Sequence, residues 1–176
     1  TVTEGTTIEY STDGTNWSTT APSITNVGEQ SVQVRATNAN YNTATASVTL
    51  KVTPKAVTVT ADDKSKTYGE SDPALTATVE GTLGSETVSY TLSRTEGETV
   101  EGSPYTITPT GEASQGNYTV SYVNGSLTIT KAADSALGLS ATGYSGTYDA
   151  SSHAASASAT VTEGTTIEYS TDGTNW

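Results

Sequence analysis

The chain has no cysteine and no phenylalanine, one histidine, and only seven lysines and arginines against nineteen acids. Each shortage closes off a class of protein. Without cysteine there is neither a disulfide frame nor a thiolate metal site. A net charge of −12 argues against nucleic acid or an anionic membrane as partner, because both require basic patches. There is no run of about 18 apolar residues and no charged-then-apolar leader. We therefore expect no membrane span in this segment and place any export signal and anchor outside it. Hydrophobic residues make up 32% of the chain, against roughly 45–50% in an average soluble domain with glycine counted in. Any core must be thin.

What is present is a repeat. TVTEGTTIEYSTDGTNW, residues 1–17, returns unchanged as residues 160–176, an offset of 159 residues. That is far longer than a solenoid unit, and it describes a pair of small domains in tandem or one large domain. A weaker repeat lies inside it, because Lys66-Thr67-Tyr68-Gly69 corresponds to Gly146-Thr147-Tyr148-Asp149 at an offset of 80. Asn40-Tyr41 likewise precedes a terminal strand pattern as Asn117-Tyr118 does. The chain thus reads as modules of about 80 residues, a normal size for a small β domain.

The apolar residues alternate. Val2, Ile8 and Tyr10 precede Asp13-Gly14, a strong hairpin signal. Strands are expected over 30–37, 46–52, 56–61, 75–80, 87–93, 105–109, 118–123 and 126–130, with glycine-rich links between them. Strands of this length separated by regular turn signals point to a sandwich or barrel. The one helical stretch, 131–137, is short.

KTYGESDPALTATVEG, with the closing GNYTVSYVNGSLTITK, resembles the MBG domain of the YGX type, which is found repeated in bacterial cell-surface and adhesin-like proteins. TYDASSHAASASATVTEGTTIEYSTDGTNW and the segment that continues from the first copy of the repeat resemble the YDG or Ig-like repeats that accompany it. Asp149 stands where the pattern has glycine. The expected organisation is residues 1–54 as the C-terminal part of a YDG/Ig-like module, 55–132 as a complete MBG-like module, and 133–176 as the N-terminal part of the next. The expected fold is all-β: an Ig-like antiparallel sandwich, or alternatively a β-grasp-like sheet.

Catalysis is hard to assemble from these residues. His153 would have to serve any triad, and no G-x-S-x-G elbow, H-E-x-x-H or P-loop is present. We expect no enzyme, no cofactor and an idle His153. Asp62-Asp63, Glu70 with Asp72, and Glu96, Glu98 and Glu101 offer oxygens to calcium, but without EF-hand or RTX spacing they read as turns, and no metal site is expected. Tyr10 and Trp17 are candidates for a sugar-stacking platform, although Trp17 reads better as a core aromatic. Tyr41, Tyr68, Tyr118 and Tyr148, at matching module positions, are expected to pack their rings and to bond a backbone partner. Lys51, Lys55, Lys64, Lys66 and Lys131 are the donors available for intramolecular isopeptide bonds, of which none is expected.

The resemblance implies an extracellular, cell-surface location. The first reading is a non-catalytic structural repeat of a bacterial surface adhesin, stalk or extracellular filament. The alternative is an adhesion module that binds host glycan, mucin or protein through multivalency. The expected partners are neighbouring repeats of the same protein, through strand complementation or head-to-tail assembly.

Overall fold

The computed structural model describes residues 4–176. Val2 lies outside the described residues. The chain is all-β, with thirteen strands and one short 3-10 turn at Asp134–Leu137 among the described residues.

The first unit is a three-stranded antiparallel meander of β1 (Thr7–Ser11), β2 (Gly28–Asn38) and β3 (Tyr41–Val52). Its register puts Ile8 opposite Ala36, Tyr10 opposite Val34, Val32 opposite Val48 and Gln30 opposite Leu50. Side chains alternate across a strand. One face therefore carries Ile8, Tyr10, Val32, Val34, Ala36, Val48, Leu50 and Val52, and the other carries Glu9, Ser11, Gln33, Arg35, Thr45, Thr49 and Lys51. Of the apolar face only Val32 is buried, and Val48 is 50% exposed.

The second unit holds the cores. It comprises β4 (Lys55–Ala61), β5 (Lys64–Thr67), β6 (Ala77–Glu80), β7 (Thr91–Arg94), β8 (Tyr105–Thr110), β9 (Ser114–Gln115), β10 (Tyr118–Val123) and β11 (Gly125–Thr130). These form two four-stranded sheets, ordered β6-β4-β10-β9 and β5-β11-β8-β7. The all-β sandwich expectation holds, but the sheets are mixed rather than purely antiparallel. The pairs β4–β10, at the centre of the first sheet, and β5–β11, at the edge of the second, run parallel. The reason lies in two short links. Asp62-Asp63 carries the chain from β4 in one sheet to β5 in the other, and Asn124 does the same from β10 to β11, so the opening and closing stretches of the unit run side by side through both sheets. A parallel pair joins strands distant in sequence, and local alternation carries no sign of it. At Gly125 an added Cβ would lie 2.5 Å from the Ala61 carbonyl oxygen, so the second crossing has room only for glycine.

Val57, Val59, Val88, Tyr118 and Val120 form one buried cluster, and Ala61, Tyr105, Ile107, Leu127 and Ile129 the other. Both are small, as a low apolar content requires.

The third unit has β12 (Ser140–Thr142) paired antiparallel with β13 (Ser156–Ser158). Residues 160–176 follow them without a strand.

Candidate functional site

Tyr10 and Trp17 are positioned by one hairpin. At the end of β1 the buried Ser11 hydroxyl accepts the Gly14 N–H at 2.9 Å and donates to Asp13 at 3.0 Å. Asp13 Oδ1 accepts the N–H groups of Thr15 and Asn16 at 2.8 and 2.7 Å, and Oδ2 accepts the Asn16 amide at 2.6 Å. These bonds hold the Asp13 carboxyl well below the usual carboxylate range, the Asn16 side chain contributing most. Gly14 takes a left-handed φ of 74°, as a tight turn demands. Reciprocal bonds between Tyr10 and Ser18 close the loop.

The two rings part company there. Tyr10 stands opposite Val34 on the apolar face. Trp17 lies against Arg35, whose guanidinium carbon is 4.2 Å from the ring centroid and whose Nε bonds Glu9 at 2.9 Å on the polar face. The structure does not bring Tyr10 and Trp17 into one platform. Trp17 is half-buried under a cation rather than part of a core, because no second layer covers its sheet among the described residues. The tyrosine expectation also needs correction. Tyr118 is buried, accepts the Leu83 N–H at 3.0 Å and donates to Glu86, which pushes its hydroxyl pKa up. Tyr41, Tyr68 and Tyr148 are instead exposed, at 72%, 53% and 95%.

The largest electrostatic cluster sits on the YGX-type motif itself. Lys66 is buried and takes the inward register position opposite Ile129. Its ammonium donates to Asp72 at 2.7 Å and to Glu98, and Arg94 on β7 donates to the same two carboxylates, reaching Asp72 at 2.5 Å. Asp72 and Glu98 are thereby lowered, chiefly by Arg94 and Lys66 respectively. Lys66 and Arg94 are raised, in both cases chiefly by Asp72. Amide condensation between Lys66 and Asp72 needs a neutral amine and a protonated acid, and this network drives both groups the other way. It is a clamp between β5, β7 and the loop after Tyr68. The sequence alone reads both Asp72 and Glu98 as turn residues. The missed signal was a lysine at an inward position, which needs opposite charge nearby.

Three more of the candidate acids are hydrogen-bonded. Asp62 accepts from Thr76 and Thr78, Asp63 from the Ser126 backbone and hydroxyl, and Glu70 from the Thr67 N–H. Among the described residues no group of three or more His, Asp or Glu is placed to hold a metal ion. His153 stacks on Tyr144 with centroids 3.4 Å apart and meets Asp149 at 2.9 Å. The Ser151 hydroxyl goes to the Asp149 carbonyl.

At the first joint Asn117 accepts the Val27 N–H at 2.8 Å and bonds Asn26 at 3.1 Å, while its carbonyl accepts the Lys55 N–H at 2.9 Å. One residue thus ties the first unit to the second. At the end of the second unit the Tyr68 N–H extends the β5–β11 pairing by bonding the Thr130 carbonyl, just before the 3-10 turn. The third unit has an open groove of about 460 Å³ lined by Leu137, Leu139, Ala141, Ala157, Ile167 and Tyr169, among others.

Residues 57–128 match the family model of the MBG domain (YGX type), so the two-sheet unit from β4 into β11 is an MBG domain. No curated protein and no solved structure matches the chain. MBG domains are typical of extracellular surface proteins, and no helix among the described residues is long and apolar enough to cross a membrane.

Proposed function

We propose that this chain is a non-catalytic spacer, a structural repeat of a bacterial surface adhesin, stalk or extracellular filament, with an MBG domain flanked by parts of a companion Ig-like module. The reading is carried by the joint at Asn117. A two-residue link that is also cross-bonded through Val27 and Asn26 leaves little freedom for independent tumbling, which is what a spacer has to suppress. The unchanged repeat of residues 1–17 supports the same reading, since a spacer places the same demand on every copy. The acidic surface keeps neighbouring copies soluble.

Small-angle scattering of the chain tests this. A stiff, elongated particle is expected, with Asn117→Ala increasing its flexibility. A compact particle, or one as flexible with Asn117 as without it, would overturn the spacer. Binding on a glycan array would move the assignment to the adhesion module.

A further inference from the structure

The parallel pairing of the second unit puts its entry and its exit at opposite ends of one seam. β4 enters at Lys55, beside Tyr118, and β11 leaves at Thr130, beside Thr67. Both pairs join residues 63 positions apart, so the register is the same in the two sheets. The crossing between the sheets keeps that offset, because Asp63 Oδ1 accepts the Ser126 N–H at 2.7 Å and the Ser126 hydroxyl at 2.8 Å. One further backbone bond closes each end: the Lys55 N–H donates to the Asn117 carbonyl at 2.9 Å, and the Tyr68 N–H to the Thr130 carbonyl at 2.8 Å. Val57, Val59, Val120, Leu127 and Ile129 line the seam, and all five are buried.

We infer that the second unit is a load-bearing element: tension along the chain drags the opening stretch β4–β5 and the closing stretch β10–β11 past each other in shear, and this seam resists it. Force enters at Lys55 and leaves at Thr130, so the two stretches are pulled in opposite directions along their length. Every bond of the ladder then stretches together. Were the first and last strands antiparallel, both connections would sit at one end, and the same tension would break the bonds one at a time. Side chains oppose the slide as well. A slip of one residue turns each inward side chain to the other face, which would carry Val57, Val59, Leu127 and Ile129 out of both cores and into water. Lys66 adds a crosswise hold. It stands on the seam opposite Ile129, and its ammonium donates to Glu98 on the loop after β7, the strand at the far edge of that sheet. β5 therefore cannot slide along β11 without drawing a buried ammonium off a carboxylate. Forced unfolding is governed by the unfolding rate, and a seam that has to shift all at once makes that rate low. The inference rests on the spacer reading for the source of the tension and adds what the spacer withstands.

The chain has no cysteine, so handles for single-molecule force spectroscopy can be attached at chosen positions. In the full chain, Lys55→Cys with Lys131→Cys loads the seam lengthwise, and Lys55→Cys with Thr119→Cys loads it crosswise from one end. All three side chains are exposed. Each rupture is assigned by the length it releases, about 3.3–3.6 Å for every residue between the handles. At equal loading rate the lengthwise pair is expected to hold to a force several-fold above that of the crosswise pair. Equal forces, or a weaker lengthwise pair, overturn the inference. The unsubstituted chain, pulled from tags at its two ends, loads the same seam free of any folding defect. It should show a rupture at the lengthwise force that releases the second unit in one step, and release of that unit at the crosswise force overturns the inference too. A chain that is stiff and elongated in scattering yet gives way equally in both directions would keep the spacer without this role. A high lengthwise force in a chain that is compact in scattering would remove the spacer and leave the strength of the seam standing.

Discussion

The same seventeen residues occur twice in this chain, and their two environments separate what is local from what is not. From Ser11 to Trp17 and from Ser170 to Trp176 the loops are nearly superimposable in their bonding. Asp13 and Asp172 each accept two backbone N–H groups at 2.7–2.8 Å, Ser11 and Ser170 each accept the glycine N–H at 2.8–2.9 Å, and Gly14 and Gly173 share φ values of 74° and 71°. The residues before the loop behave differently. Thr7–Ser11 is a strand and residues 166–170 are not. Trp17 is half-buried beneath Arg35, whereas Trp176 is 70% exposed. An Asx-type loop is satisfied by its own side chains. A strand needs a neighbour for its backbone groups, and β2 stands beside only the first copy.

The strongest way to break this contrast is to remove β2 as a partner. Val32→Asp would place a carboxylate on the one buried position of the apolar face, at a cost of several kcal/mol, roughly the stability of a small unit. We expect the amides of Thr7–Ser11 to lose hydrogen-exchange protection and to resemble those of residues 166–170, while Ile107 and Leu127 keep their shifts. Persistent protection at Thr7–Ser11 would show that the strand does not depend on its neighbour.

A smaller effect should separate the loops energetically. Asp13→Ala removes bonds that hold a hairpin attached to a sheet, so the melting of the first unit should move to lower temperature. Asp172→Ala removes the same bonds from a loop that no sheet depends on, and calorimetry should register no shift. Equal shifts would mean that the second copy is part of a cooperative unit.

Acid titration should leave the two copies alike. Asp13 and Asp172 both titrate below the ordinary carboxylate value of about 3.9 through local hydrogen bonds. A depressed folded value means that their contribution is fully present above the unfolded value and is lost as pH falls through the folded one. Carboxyl NMR should show both moving together at the acid end. A clear separation between them would reveal a tertiary contribution to one. Asp72 and Glu98 should lose their clamp on Lys66 in the same direction, below the ordinary carboxylate range.

The mildest test concerns the two tryptophans, the only two in the chain. Arg35→Ala uncovers Trp17 and forfeits a cation–π contact of about 0.5–1 kcal/mol. Its emission should shift to the red, toward that of Trp176. An unchanged spectrum would mean that the Arg35 contact does not shield the ring in solution.

Much of the fold could be read from alternation alone. The strand expected over 118–123 matches β10 to the residue, and those expected over 30–37, 46–52, 56–61 and 126–130 fall inside the observed strands, because a half-buried strand has to alternate. The strand expected over 87–93 overlaps β7 only at Thr91–Ser93, since nothing local distinguishes its start from the loop that leads into it. The candidate rings were legible as residues but not as a site. Tyr10 and Trp17 are close in sequence, yet the hairpin sends them to opposite faces. The Lys66–Asp72–Arg94–Glu98 clamp joins residues from two strands and two loops, and no spacing rule connects Lys66 to Arg94.

The sequence by itself determined the all-β class, the repeat, the thin cores and the Asp13 and Asp172 loops, because each follows from composition or from bonds between residues a few positions apart. Tertiary structure alone decided the parallel pairing of β4 with β10 and β5 with β11, the burial of Lys66, and the side of the sheet on which Trp17 lies. It also decided which copy of TIEYS is a strand. Each of these depends on a neighbour brought from far along the chain, and a β-strand, unlike a turn, cannot satisfy its own backbone.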